Sequence, residues 1–240
     1  EEGGFDLLSF EAGLKGQLES QGRALIIFNF PCNNPTGYSL DDDEWRELSL
    51  IVERQAEKGP ITFLVDLAYA RFGAAGSERW VEHVEGLARC AQLLVAWSGS
   101  KAFAQYGARV GALIAVHPDP KERARLSAAL GFACRGTWSN CNHQAMVAIT
   151  ELLLDPAKRR RVTAEREVLK RLLHERVDAF NQAARGTSLR YPRYEGGFFV
   201  SVFAPNAEVM AEKMRELGVF VIPLQGAVRV ALCAIRSTDI

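Results

Sequence analysis

The sequence predicts an α/β fold: a mixed, mostly parallel sheet layered with helices, followed by a small α/β unit at the C-terminal end. Three observations carry this. Short apolar runs rich in β-branched residues alternate with longer amphipathic runs, the order of a sheet whose strands are joined by helices. Several short runs are apolar at nearly every position, which fits strands covered on both faces. The chain has 240 residues, 48% hydrophobic and 24% charged, enough for one large domain or two modest ones.

Strands are expected over residues 24–30, 61–66, 92–98, 110–116, 198–204 and 228–235. The helix expected over 41–58 has Ser39 and Asp42 in capping-box spacing at its start and Gly59-Pro60 as its stop. Only about a dozen residues separate strand 92–98 from strand 110–116, marginal for a parallel crossover, so the latter is expected to run antiparallel in a mixed sheet. Asp155-Pro156 reads as an N-cap and first helical residue. It opens a long helix, to about residue 184, with Val168, Leu172, Leu173, Val177 and Phe180 on one side. This helix leads from a larger domain, residues 1–160, into a smaller one, residues 161–240.

Charge points to no bulk partner. Lysine plus arginine and aspartate plus glutamate both number 29, which argues against nucleic acid or an anionic membrane surface as the target. The cluster Lys158-Arg159-Arg160-Arg161 is followed by Glu165 and Glu167 and reads as a solvated helix face. No apolar run approaches the roughly 20 residues of a membrane-spanning helix, and the acidic start Glu1-Glu2 is unlike a signal peptide. Cys32, Cys90, Cys134, Cys141 and Cys233 are irregularly spaced, which fits reduced thiols in the cytoplasm. Cys134, Cys141 and His143 lack a C-x-x-C partner, so the thiols are read as buried and structural and no metal is expected.

Function is sought where polar residues gather. Three expected strands run into unusual polar sequence: Pro31-Cys32-Asn33-Asn34-Pro35-Thr36-Gly37, Asp66-Leu67-Ala68-Tyr69 and Trp97-Ser98-Gly99-Ser100-Lys101. If the strands are parallel, all three segments share the carboxyl-end rim where open α/β sheets bind ligands. Asp66 directly continues an apolar run and is either a surface aspartate past a strand end or a carboxylate met by a cation or several donors. Lys101 is either a surface lysine or an amine in a semi-enclosed pocket with Ser98, Ser100, Phe103 and Arg109, where desolvation makes it nucleophilic.

Together these segments resemble the fold-type I pyridoxal-phosphate aminotransferases, in particular the aspartate and aromatic amino acid branch. Asn34-Pro35-Thr36-Gly37 is similar to the family's N-P-T-G, and Asp66-Leu67-Ala68-Tyr69 to its D-x-A-Y. Ser98-Gly99-Ser100-Lys101 with Arg109-Val110-Gly111 resembles S-x-S-K…R-x-G. Arg135-Gly136-Thr137-Trp138-Ser139-Asn140 resembles R-x-x-Y-S-N, with tryptophan for tyrosine. Gly196-Gly197-Phe198-Phe199 and the run from Val228 to Leu232 resemble landmarks of the C-terminal domain.

The resemblance implies a role for each residue. Lys101 would form the Schiff base with pyridoxal 5'-phosphate and then shuttle the substrate proton. Asp66 would pair with the pyridine nitrogen. Tyr69 and Asn34 would hydrogen-bond the ring's 3-oxygen, although a buried Tyr69 can equally be a core aromatic. Ser98, Ser100 and Arg109 would hold the phosphate. Arg229 would clamp the substrate α-carboxylate; a structural ion pair is the other reading of an arginine in an apolar strand. Arg135 would reach a distal carboxylate across a dimer interface, a specificity placed in question by Trp138 and by Cys141-Asn142, where the family has prolines. A cis Asn34–Pro35 bond is expected as well.

The expected substrates are an amino acid of aspartate or aromatic type and a 2-oxo acid, in a homodimer of the full-length protein. The family also carries an N-terminal portion that this chain does not show. The chain is therefore expected to be a truncated piece, poorly active alone, with an exposed strand edge and apolar surface. Two alternatives remain: another enzyme of the fold (a lyase, decarboxylase or synthase), and a non-catalytic regulatory module that senses the cofactor. A Rossmann-type dinucleotide domain is excluded by the absence of G-x-G-x-x-G.

Overall fold

The computed structural model describes residues 4–240. The chain begins with helix α1 (Leu7–Gln21), then strand β1 (Ala24–Phe28), α2 (Asp42–Ala56), β2 (Ile61–Asp66), α3 (Trp80–Leu87) and β3 (Gln92–Ser98). One helical turn, α4 (Gly99–Ala102), leads to β4 (Gly111–Val116). The sheet order is β1-β2-β3-β4, with β1, β2 and β3 parallel and β4 antiparallel to β3. The short link before β4 is what its reversed direction requires. Helices α5 (Pro120–Trp138), α6 (His143–Leu154) and α7 (Pro156–Ala184) follow. The C-terminal unit contains β5 (Phe199–Phe203), α8 (Ala207–Glu216), β6 (Ile222–Leu224) and β7 (Ala227–Ala231), in an antiparallel sheet of order β5-β7-β6.

The larger core lies on one face of the first sheet. Ala24, Ile26 and Phe28 of β1 and Ile61, Phe63 and Val65 of β2 point into it. They meet Leu14 and Leu18 of α1, Trp45, Leu48 and Val52 of α2, and Val84 and Leu87 of α3. The expected cover on both faces is found on this one only. The alternate β1 residues Leu25 and Ile27 are 49% and 66% exposed, because among the described residues no helix is packed over them. The apolar surface expected from the sequence is thus present. A second core joins Val177 and Phe180 of α7 to Val200, Val202, Val228 and Leu232.

Four local expectations need correction. The cap of α2 is Asp41, not Ser39 or Asp42: Asp41 Oδ1 accepts from the Glu44 amide at 2.9 Å, and Glu44 Oε2 accepts from the Asp41 amide at 2.9 Å. Ser39 instead accepts from the Cys32 amide at 2.9 Å. Strand 228–235 ends at Ala231, where its pairing with β5 runs out at Phe199, and Leu232–Ala234 form a 3₁₀ turn. β6 was not expected; it has three residues with Pro223 at its centre, tolerated because it is a sheet edge. On α7, Leu173, Val177 and Phe180 are buried, but Val168 and Leu172 remain exposed. Of the five thiols, only Cys32 is buried. Among the described residues no helix is long and apolar enough to cross a membrane.

Arg193 ties the two units together. Its guanidinium donates to Asp41 Oδ2, Glu44 Oε2 and the Ser39 carbonyl, each at 2.8 Å, and stacks over the Tyr38 ring at 4.9 Å. Burial pushes Asp41 up, but the Glu44 amide and Arg193 outweigh it and hold its carboxyl below the ordinary 3.8. Arg193→Met is expected to lower unfolding stability by about 1–2 kcal/mol at neutral pH, the range for charge-assisted bonds at a partly exposed site. A carboxylate with a depressed folded pKa contributes stability above its unfolded pKa and loses it as pH falls. The gap between parent and variant in urea denaturation should therefore narrow below pH 3.8. A gap that is absent at neutral pH, or that widens in acid, contradicts this.

Candidate functional site

The two parallel crossovers place the ends of β1, β2 and β3 on one rim. At the end of β1, Asn29 organises the turn that follows. Its Oδ1 accepts from the Asn34 amide at 2.7 Å, and its Nδ2 donates to the Asp66 carbonyl at 3.3 Å. The Asn34–Pro35 bond is cis, as expected, and so is Phe30–Pro31. Asn34 then presents its side chain toward Tyr69: Nδ2 donates to the Tyr69 hydroxyl at 3.4 Å. Asn29 was not singled out from sequence; its position at a strand end, four residues before Asn33, is the only signal for it.

Asp66 closes β2, in register with Ala96 of β3. Its Oδ1 accepts from the Ala68 amide at 3.0 Å, which shapes the turn to Tyr69. The Tyr69 ring is buried and packs edge-on against Phe198 and Phe199. Burial raises its phenol above the ordinary range; the Asn34 bond and the Arg229 charge pull it down, and the Asp66 charge pushes it up. Asp66 and Arg229 therefore both act electrostatically on Tyr69.

β3 ends in Ser98, whose Oγ accepts from the Ser100 amide at 3.2 Å and caps the single turn α4. That turn brings Lys101 around, so that Nζ lies 5.0 Å from the Tyr69 ring centroid and 5.6 Å from that of Tyr106. Among the described residues Lys101 makes no ion pair within 4.0 Å, although eleven such contacts exist elsewhere.

From the second sheet comes Arg229, opposite Ser201 of β5 and Ile222 of β6. Its Nη1 donates to Asn34 Oδ1 at 3.0 Å, and its guanidinium carbon lies 4.4 Å from the Phe199 centroid. The sequence left open a structural ion pair for Arg229; among the described residues it has none. Its Nε is buried without a hydrogen-bond partner there, an expensive state for a permanent cation unless an anion completes it.

These groups line one cavity of about 760 Å³, bounded by Asn34, Tyr69, Ser100, Lys101, Phe199 and Arg229 among others. Arg176 also lines it and was missed in the sequence. It donates to the Leu232 and Cys233 carbonyls at 3.4 and 2.7 Å, fixing the turn just after the strand that carries Arg229. Its helical spacing from Leu169, Leu172 and Leu173 on α7 could have marked it. Phe198 and Phe199, part of the C-terminal landmark in the sequence, both line the cavity.

Four expected site residues do not line it. Asp66 is bonded to the Ala68 amide. Ser98 is engaged as the cap of α4. Arg109, at φ 49°, donates to the Tyr106 carbonyl at 2.9 Å and stacks on the Tyr106 ring at 5.2 Å, on the exposed side. Arg135 lies in the last turn of α5, where its Nη1 donates to the Ser139 carbonyl at 3.0 Å and hydroxyl at 2.8 Å. Local acceptors within four residues satisfy both arginines, which sequence spacing alone does not reveal.

Comparison with known proteins identifies the family. The family model for aminotransferase class I and II matches residues 1–240. A tyrosine aminotransferase of Rhizobium meliloti is 30% identical over 210 residues, 86% of this chain and 52% of its own length. The chain thus spans about half the length of that curated relative. The structure of an aminotransferase from Anaerococcus prevotii superimposes with a TM-score of 0.93 at 28% identity, covering 100% of this chain and 59% of that one. An aromatic-amino-acid aminotransferase from Burkholderia pseudomallei, solved covalently bound to pyridoxal phosphate, shares the fold. Its TM-score is 0.70 at 22% identity, over 94% of this chain and 56% of that one. With the family model matched from end to end, the chain belongs to the class I and II aminotransferases.

Proposed function

We propose that the protein containing this chain transfers an amino group between an amino acid of aspartate or aromatic type and a 2-oxo acid, with pyridoxal phosphate as cofactor and as a cytoplasmic homodimer. The observation that carries the reading is the convergence of Lys101, Tyr69, Asn34 and Arg229 on one cavity of about 760 Å³. Among the described residues, an amine without an ion pair and a guanidinium with an unpartnered buried Nε fit an aromatic, anionic aldehyde and a carboxylate substrate. When bound, pyridoxal phosphate supplies an aldehyde that condenses with an amine and a ring that accepts the electrons left as the substrate Cα loses its proton.

The chain's own residues do the rest. Lys101 Nζ, 5.0 Å from the Tyr69 ring centroid, would be the attachment point for the cofactor aldehyde and the base that moves the substrate Cα proton. Tyr69 and Asn34 form a hydrogen-bonded pair that fixes the orientation of a ring hydroxyl, and Arg229 orients the substrate by its carboxylate. Asp66 would pair with the cofactor's pyridine nitrogen. Ser98, Ser100 and Arg109 would hold the phosphate, Arg109 on leaving its contact with Tyr106. Arg135, which does not line this cavity, would reach across the dimer interface to the distal carboxylate of a substrate in the other subunit's site. The 240 residues alone are proposed to turn over slowly, since relatives are about twice as long.

The test is chemical labelling. Pyridoxal phosphate is added to the chain, reduced with borohydride, and the modified lysine located by peptide mass. Lys101 should carry the label at far lower cofactor concentration than Lys58 or Lys121, both exposed. A label spread evenly over those lysines would sink the assignment.

A further inference from the structure

The pair Cys134 and Cys141 is left unused by the proposed chemistry. Cys134 lies in the last turns of α5, half-buried, and Cys141 is exposed in the link to α6. Their Sγ atoms are 3.7 Å apart, which is van der Waals contact for two sulfurs. Between them lie the six residues Arg135-Gly136-Thr137-Trp138-Ser139-Asn140. The turn is closed by an unusual backbone: Ser139 sits at φ 65°, its amide donates to the Arg135 carbonyl at 3.1 Å, and the Asn140 amide donates to the Trp138 carbonyl at 2.7 Å. Cys141 is held in turn, its amide donating to Asn140 Oδ1 at 2.9 Å. The two thiols are thus brought together by backbone geometry rather than by chance rotamers on a loose loop. A metal does not explain the pair: among the described residues no three His, Cys, Asp or Glu side chains are grouped to hold one.

We propose that Cys134 and Cys141 are a modification site, forming a reversible intramolecular disulfide that staples the segment carrying Arg135. Hydrogen peroxide is the oxidant by class. One thiolate attacks a peroxide oxygen, the O–O bond breaks, and a sulfenic acid and water result; the second thiol then displaces hydroxide, which leaves as water with its proton. Two thiols and one peroxide give one disulfide and two waters. The second step is intramolecular, at an effective concentration on the order of millimolar or above, so it outruns capture by dilute outside thiols.

The remaining cysteines are poorer targets. Burial pushes Cys32 up to about 12 and raises Cys90 and Cys233 above the ordinary thiol range, which disfavours their thiolates. Cys134 is raised as well, by its contact with Cys141, so what favours this pair is the 3.7 Å approach of its two sulfurs. Closing the bond would keep Arg135 and Ser139 in the turn where they already meet. It would thereby restrict Arg135 from reaching away from its own helix.

The folded chain is treated with stoichiometric hydrogen peroxide, alkylated and cut with trypsin. Cleavage after Arg135 should leave the peptides holding Cys134 and Cys141 joined until dithiothreitol is added. This pair should be consumed about tenfold faster than Cys90 or Cys233. Cys134→Ser and Cys141→Ser, both outside the packed core, should each abolish the joined product and leave the partner thiol to accumulate sulfenic acid. The proposal is overturned if no joined peptide forms, if Cys90 or Cys233 oxidises first, or if the cross-link joins two chains. None of these outcomes depends on amino-group transfer.

Discussion

Lys101→Ala is expected to abolish amino-group transfer by the protein that carries this chain, by on the order of 10³-fold or more, because a positioned general base and the point of covalent attachment go together. Stability should hardly change. Among the described residues Nζ makes no ion pair, and its contacts are the faces of Tyr69 and Tyr106 at 5.0 and 5.6 Å, worth about 0.5–1 kcal/mol at a partly exposed site. The measurement is glutamate formed from 2-oxoglutarate and an amino donor, alongside a urea unfolding curve. A small primary amine added to the variant should restore part of the transfer, since it replaces the missing base without replacing the side chain. Unchanged transfer in Lys101→Ala, or a loss that merely follows unfolding, would end the reading of Lys101 as the reacting amine.

The ease with which Lys101 can be found differs from that of its neighbours for a physical reason. Strand ends are legible: apolar runs stop where the chain leaves the sheet, so Asp66 at the end of β2 and Ser98 at the end of β3 could be placed within a residue. Parallel strands then put them on a common rim. The antiparallel β4 was legible from the short link, and α7 from Asp155-Pro156, whose carboxylate does accept from the Ala157 and Lys158 amides. Where a side chain points was not legible. Arg109 and Arg135 occupy positions that the family resemblance assigns to ligand binding, yet each finds a nearby carbonyl first. Arg229 has no such acceptor along its own strand, and so it reaches Asn34, 195 residues away in sequence.

Sheet coverage was misread for a related reason. An apolar residue at every strand position marks two apolar faces, but not what lies over them. Leu25 and Ile27 have the same character as Ile26 and Phe28, and differ in lying exposed, with no helix above them among the described residues. The second sheet hid β6, since three residues around a proline carry no period at all. What held the two sheets in register was spread across the chain: Arg193 on the α2 cap, Ser201 Oγ donating to the Pro35 carbonyl at 3.0 Å, and the Gly197 amide donating to the Phe72 carbonyl at 3.0 Å. Such long-range pairs leave no local pattern.

Gly37→Ala should be the most damaging single methyl addition in the site. Gly37 ends the turn after Asn34-Pro35, at φ +73°, a conformation that costs a side-chain-bearing residue about 1–2 kcal/mol. A Cβ there would also lie 2.3 Å from the Phe199 carbonyl oxygen and 2.4 Å from the Tyr194 ring. Neither neighbour can yield freely. Phe199 is the first residue of β5, paired with Ala231 of β7, and Tyr194 is buried with its hydroxyl donating to the Gly197 carbonyl at 3.0 Å. Overpacking of this kind adds roughly 1–3 kcal/mol, so a total loss of about 2–5 kcal/mol is expected, a large part of the stability of an ordinary domain. Gly13→Ala supplies the contrast: it lies within α1 with nothing within 4 Å of its Cβ, and should stabilise by about 0.5–1 kcal/mol. Urea midpoints for the two variants should move in opposite directions. If Gly37→Ala unfolds at the parent's midpoint, β5 and the Asn34 turn are not pressed together, and Arg229 loses the contact that places it beside Asn34 and Tyr69.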